Sequence, residues 1–189
     1  MLKRILSIAL IMILAISLTG CICSSEPNFP TSETGFPIGF TRLSDGAQIY
    51  LGMSEDEIGN VITEILITQR LEALRLGIIN QNERLYGETG YIRIQFRPDG
   101  TANTISTVSN QWAAAGNISV GDSIKSVLDS DWHSYILHGY ENGRVWVGDG
   151  SSFEETVYMF SFFYDENGLI WDMGLIYMPD WLEQQEEQL

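Results

Sequence analysis

The chain has two histidines, His133 and His138, and one of them sits in an acidic run, Asp129-Ser130-Asp131-Trp132-His133. An imidazole beside carboxylates can serve as a general base or as part of a metal site. No further ligands stand at metal-site spacing around it, so the run reads more simply as a helix end and a loop carrying a solvated histidine. A hydrolase built on Asp131 and His133 is therefore the weakest functional reading. Asp165-Glu166-Asn167-Gly168 has the acidic start of a calcium loop. It lacks the glycine and the glutamate that such a loop needs further on, and a hairpin turn explains it better. There is no Gly-x-Ser-x-Gly nucleophile run and no glycine-rich phosphate cradle between a strand and a helix. The expectation is a protein with no catalytic residue, no metal and no cofactor.

The aromatic residues are the more informative set. Trp112, Trp132, Trp146, Trp171 and Trp181 are joined by Tyr135, Tyr140, Tyr158, Tyr164 and Tyr177, and most are expected in the core. Val157 to Tyr164 reads as a strand, in which Phe160, Phe162 and Tyr164 point to one side and Phe163 to the other. Aromatic character on both sides predicts an exposed aromatic sheet face, a kind of surface that binds proteins or sugars. The candidate binding residues are Trp146, Phe160, Phe162, Tyr164 and Trp171.

The N-terminus carries a different chemistry. Lys3-Arg4 is followed by an uncharged apolar run of 14 residues, Ile5 to Leu18, and then by Leu18-Thr19-Gly20-Cys21. A run of that length is short for a spanning helix, which needs about 20 residues. The closing tetrapeptide resembles the lipobox of prokaryotic lipoproteins: an aliphatic residue, two small residues and a cysteine. The resemblance implies a signal peptide over residues 1–20. It also implies a Cys21 thiol alkylated by a diacylglyceryl group, with fatty chains of the palmitate type, and a body held at the cell membrane on its extracytoplasmic side. An uncleaved anchor, with the apolar run extended through Cys23, is the alternative, and it places the body on the same side. Residues 21–40 read as the lipidated cysteine and a flexible tether; the linker-like part, Ser24 to Gly39, has three of the five prolines and reaches on the order of 20–25 Å.

Charge narrows the partners. The chain has 10 basic and 25 acidic residues; loss of Lys3 and Arg4 with the leader leaves 8 against 25, a net charge of −17. Such a surface repels phosphate backbones and anionic head groups, so nucleic-acid binding is disfavoured and membrane attachment falls to the anchor. Cys21 and Cys23 are the two cysteines. No disulfide is therefore available to the body, and packing must hold it together.

The body repeats itself. Ile49-Tyr50-Leu51-Gly52-Met53-Ser54 is matched by Ile118-Ser119-Val120-Gly121-Asp122-Ser123 at an offset of 69, and Pro98-Asp99-Gly100 is answered by Glu166-Asn167-Gly168. Each glycine should turn a short strand into a helix capped by the serine, with Glu57 completing a capping box in the first copy. Ile58, Val61, Ile62, Ile65 and Leu66 recur at helical spacing. Leu66 to Arg84 is open to helix, stopped by Gly77, or to strand. Tyr91–Phe96, Thr101–Val108, Gly143–Gly148 and Leu169–Tyr177 read as strands with Asp-Gly and Asn-Gly turns, and the tail after Pro179 as a short helix. The pattern hydrophobic-Gly-x-Ser-x-x-x-hydrophobic, followed by aromatic strands ending in Asp/Asn-Gly, resembles the β-lactamase-inhibitor-protein-like units of envelope lipoproteins. The resemblance implies an α+β fold of two tandem helix-then-antiparallel-sheet units forming one layered body, over residues 41–110 and 111–178, with an acidic tail at 179–189. It also implies a binding role: a non-catalytic module with a protein partner, or alternatively a glycan- or solute-binding module of the envelope.

Overall fold

The computed structural model describes residues 31–64, 67–77, 79, 81–87, 91–130, 132, 135–141 and 143–186. The lipobox with Cys21, together with Asp131 and His133, lies outside these residues.

The fold is α+β, with two antiparallel sheets. The small sheet is built from β1 (Gly39–Arg42), β2 (Gln48–Tyr50), β6 (Trp112–Ala114) and β7 (Ile118–Ser119) in the order β2-β1-β6-β7. The large one is built from β3 (Glu83–Tyr86), β4 (Ile92–Phe96), β5 (Ala102–Thr107), β8 (Ile136–Glu141), β9 (Arg144–Gly148), β10 (Tyr158–Tyr164) and β11 (Ile170–Tyr177). Its order is β3-β4-β5-β11-β10-β9-β8. Four helices are described: α1 (Glu55–Val61), α2 (Ile67–Arg75), α3 (Ile124–Leu128) and α4 (Met178–Glu186). The β1–β6 and β5–β11 pairings join the two halves of the chain in both sheets.

Local chemistry explains the element ends. Gly52 and Gly121 both adopt the left-handed conformation, at φ 90° and 96°. That conformation is open to glycine at little cost. Each amide then donates to the equivalent strand, Gly52 to the Ala102 carbonyl and Gly121 to the Ile170 carbonyl. The Ala102 and Ile170 amides donate back, to the carbonyls of Met53 and Asp122. Ser54 caps α1 in a capping box with Glu57, whereas Ser123 caps α3 without one. The stretch open to two readings divides between them: α2 is a separate helix, ended by Gly77 at φ 70°, and residues 83–86 are strand β3. The helical spacing read from Ile58 through Leu66 does not give one continuous helix. Backbone at Ile62 is already extended, and Glu64 bridges Tyr86.

One core lies between the two sheets. Phe40 of β1 meets Phe160 of β10 edge-on at 5.4 Å, and Trp132 packs between them and the α3 end, 4.8 Å from Phe160 and 5.5 Å from Phe162. The tether is shorter than its composition suggests. Phe36 is fully buried against Trp132, and the Ser32 carbonyl and hydroxyl accept from Gly35 and Phe36 to close a turn. A single aromatic side chain supplies enough apolar area to hold this segment down.

The opposite face of the large sheet is covered only at its sides. α2 lies against the β3 edge through Ala73, Ile79 and Leu85. α4 is fixed near the β5–β11 end by Asp180, which accepts from Arg97 and from Asn103. Among the described residues no helix crosses the strip between them, which holds a groove.

Candidate functional site

Register decides which residues line that strip. Ser161 pairs with Trp146 on one side and Gly174 on the other, and Phe163 pairs with Arg144 and Asp172. All six therefore point to one face, away from the core. The expected binding set divides accordingly. Phe160 and Phe162 have no solvent exposure and belong to the core, and Tyr164 is a half-buried residue packed against it. Trp146 and Trp171 lie on the other face. The alternation along β10 is as expected, but Phe160 and Phe162, two of the candidate binding residues, fall on its buried side. A second sheet covers the Phe160 side, so the face that looks outward is that of Phe163.

A β-bulge adds Trp171. Phe163 pairs with Asp172 and Tyr164 with Ile170, which leaves Trp171 without a partner in the ladder. Such an extra residue re-aims its side chain. Trp171 packs at 5.4 Å from Phe163 and is 51% exposed. From there an aromatic line continues along the face. The Arg144 guanidinium lies 3.9 Å from the Phe163 ring centre and 5.1 Å from that of Trp146. Trp146 meets Phe153 at 5.4 Å, and Phe153 meets Trp181 of α4 at 6.0 Å.

Inside this line is a groove of about 280 Å³. Its floor is made by Thr104, Ser106, Ser161 and Gly174, with Met159 and Ile176 beside them. A Cβ at Gly174 would stand 2.8 Å from the Ser161 hydroxyl, so a side chain there would raise the floor. Asp172 closes one end. Its Oδ1 is buried and has no hydrogen-bond partner among the described residues. Burial pushes its carboxyl up to about 6, against the opposing pull of Arg93, the Met173 amide and Arg144. Burial likewise lowers Arg144, while the charge of Asp172 raises it. An uncompensated acceptor of this kind is costly to the fold, by roughly 1–3 kcal/mol.

The cost has a pH dependence. A carboxyl raised from 3.8 to about 6 on folding takes up protons more readily in the folded state. Stability is therefore lost as pH rises through the window between those values and stays lost above it. Arg93 and Arg144 are the charged groups that face Asp172 among the described residues. Asp172→Asn is expected to stabilise the protein at about pH 8 by roughly 1 kcal/mol, after allowance for solvent screening. The gain should vanish towards pH 4. Urea midpoints of the two proteins across that range test this, and an offset that does not change with pH would refute the assignment.

Sequence reasoning missed Asp172, Arg144, Ser161 and Gly174, and it left Phe163 and Trp181 out of the binding set. One signal was present: Ile170-Trp171-Asp172-Met173-Gly174-Leu175 places a single carboxylate and a glycine inside an otherwise apolar strand. A buried-strand carboxylate needs a reason, and an interior strand glycine often marks a close approach. His138 lies on β8, the edge strand beside β9. Among the described residues, no group of three or more His, Cys, Asp or Glu is placed to hold a metal ion, and no helix is long and apolar enough to cross a membrane. Comparison with protein-family models, with curated proteins and with solved structures finds no match.

Proposed function

We propose that this chain is a lipid-anchored, non-catalytic binding module held on the extracytoplasmic side of the cell membrane. It takes its partner through the outer face of the large sheet. The observation that carries this reading is the aromatic line from Trp171 to Trp181 around a groove whose buried carboxylate oxygen has no partner among the described residues. Exposed tryptophan is the residue most enriched where binding energy concentrates, and an unsatisfied polar group gains most when a partner supplies its hydrogen bond. The anchor is inferred from the lipobox-like run ending at Cys21, and the body's strong negative charge leaves attachment to that thiol.

The same reading takes the body as two duplicated units, 41–110 and 111–178. Its support is the matched pair of exchanges, Gly52–Ala102 with Met53 and Gly121–Ile170 with Asp122. In this reading the binding face is that of Trp146, Phe163 and Trp171 rather than that of Phe160.

Tryptophan oxidation tests the binding face without knowledge of the ligand. In the purified protein Trp171 should oxidise readily and the fully buried Trp112 should not. In native membranes, where the partner is present, Trp171 should be protected several-fold while Trp112 stays unreactive. Equal rates for Trp171 in the two preparations would overturn the reading.

A further inference from the structure

We propose that the groove is a saccharide site, lined by the rings of Trp146 and Trp181, in which Asp172 and Arg144 bracket the hydroxyls of one sugar ring. This assignment depends on the outer face being the binding surface and names what it binds.

Charge removes the alternatives first. The groove holds one carboxylate and one guanidinium, Asp172 and Arg144, with Arg93 acting on Asp172 from β4. A cationic ligand would meet Arg144 and an anionic one Asp172, each at close range and partly out of water, where like charges are most costly. The chain as a whole, at a net charge of −15, further disfavours an anion. What fits is a neutral ligand that donates to Asp172 and accepts from Arg144. Among the described residues Arg144 has no ion pair and no side-chain hydrogen bond. Its charge is met by the Trp146 and Phe163 rings, which leaves its N–H groups for a ligand.

A pair of neighbouring sugar hydroxyls meets that demand, because each hydroxyl both donates and accepts. The floor agrees: Thr104, Ser106 and Ser161 offer further hydroxyls, and Gly174 keeps the surface flat enough for a ring to lie on it. The walls agree as well. A sugar ring has apolar C–H faces, and Trp146 and Trp181 supply large rigid apolar surfaces. At about 280 Å³ the groove falls at the lower limit of small-molecule sites and takes a single ring of a chain rather than a folded segment.

The test uses the intact lipidated protein in a zwitterionic detergent that carries no sugar head group. Maltose, cellobiose and diacetylchitobiose are titrated, with neutral tetrapeptides as the matched set, reading tryptophan fluorescence and calorimetry. At least one saccharide is expected to bind saturably, with Kd on the order of 1 mM or tighter. Trp146→Ala should weaken it at least tenfold. Asp172→Asn should do the same through loss of a charge-assisted hydrogen bond. Because that variant is expected to be the more stable protein at neutral pH, its loss of binding cannot be ascribed to unfolding. Saccharide binding that neither substitution changes would overturn the site. Binding of peptides but of no saccharide would overturn the ligand class while leaving the binding face standing. Loss of Trp171 protection in the oxidation experiment would remove the face itself.

Discussion

Phe160→Ala is expected to destabilise the protein by about 3–5 kcal/mol, a large share of the roughly 5–15 kcal/mol that holds a domain of this kind together. Phe160 has no solvent exposure. Its ring touches those of Trp132, Phe40, Phe162 and Phe36 at centroid distances of 4.8, 5.4, 5.9 and 6.0 Å. These neighbours come from both sheets, from the segment before β1 and from the stretch after α3. Removing the ring therefore opens a cavity that no single element can close by moving, and dispersion contacts are lost on every side. With no cysteine in the body there is no covalent link to limit the loss. For a chain of this length the midpoint of thermal unfolding should fall by on the order of 10 °C or more. Phe163→Ala is the informative companion. Phe163 is the next residue but two along the same strand, on the groove side, and its truncation should cost well under half as much. Thermal and urea unfolding of the two variants decides between the faces. Equal losses would mean that the core lies on neither side as assigned.

That contrast marks where the sequence was readable and where it was not. Alternation along Val157–Tyr164 gave the strand and the division of its side chains, because period two is imposed by the pleat itself. The turns were legible for a similar local reason. Asp99-Gly100 closes on Arg97 and Thr101, and Asp165 to Gly168 closes on Leu169, with both glycines at positive φ. Ser54 and Glu57 announced their helix by spacing alone. The choice of face is not local. It depends on the small sheet, whose strands Gly39–Arg42, Gln48–Tyr50, Trp112–Ala114 and Ile118–Ser119 are two to four residues long. Periodicity cannot be measured over so few residues. The helix Ile67–Arg75 packs through Ala73 on Ile79 and Leu85 at a sheet edge, so its pattern carried little signal. The groove was hidden by a third kind of non-local fact. Trp171 reaches Phe163 because of one unpaired residue in the β10–β11 ladder, and Arg144 and Asp172 line the same groove because β9 and β11 flank the same strand. Residue types suggested an aromatic face, but only strand order could say which aromatics share it.

Cys21→Ser is expected to abolish incorporation of labelled fatty acid, whereas Cys23→Ser, two residues on, should leave it intact. The proposed anchor forms when the Cys21 thiolate attacks the glyceryl carbon of a phospholipid: the C–S bond forms as the C–O bond to the phosphate breaks, and the head-group phosphate leaves. A serine hydroxyl at neutral pH is far too little ionised and too weak a nucleophile to replace it. Leu18-Thr19-Gly20 precedes Cys21 and not Cys23, and the small residues give a peptidase access to the bond before the modified cysteine. The wild-type protein should then begin at Cys21 with two or three acyl chains by intact mass. The variant should carry none and keep its leader. Nothing else in the body can substitute for the lipid. A surface of net charge −17 after loss of the leader is repelled by anionic head groups at each acidic side chain, and basic residues, each worth about 1 kcal/mol near such a surface, are too few to oppose it. Buried methylenes contribute about 0.8 kcal/mol each, so two chains exceed that repulsion many times over. A wild-type mass that starts at Met1 and lacks acyl groups would instead favour the uncleaved apolar anchor. The body would keep its side of the membrane, but it would be held there by a helix rather than by a thioether.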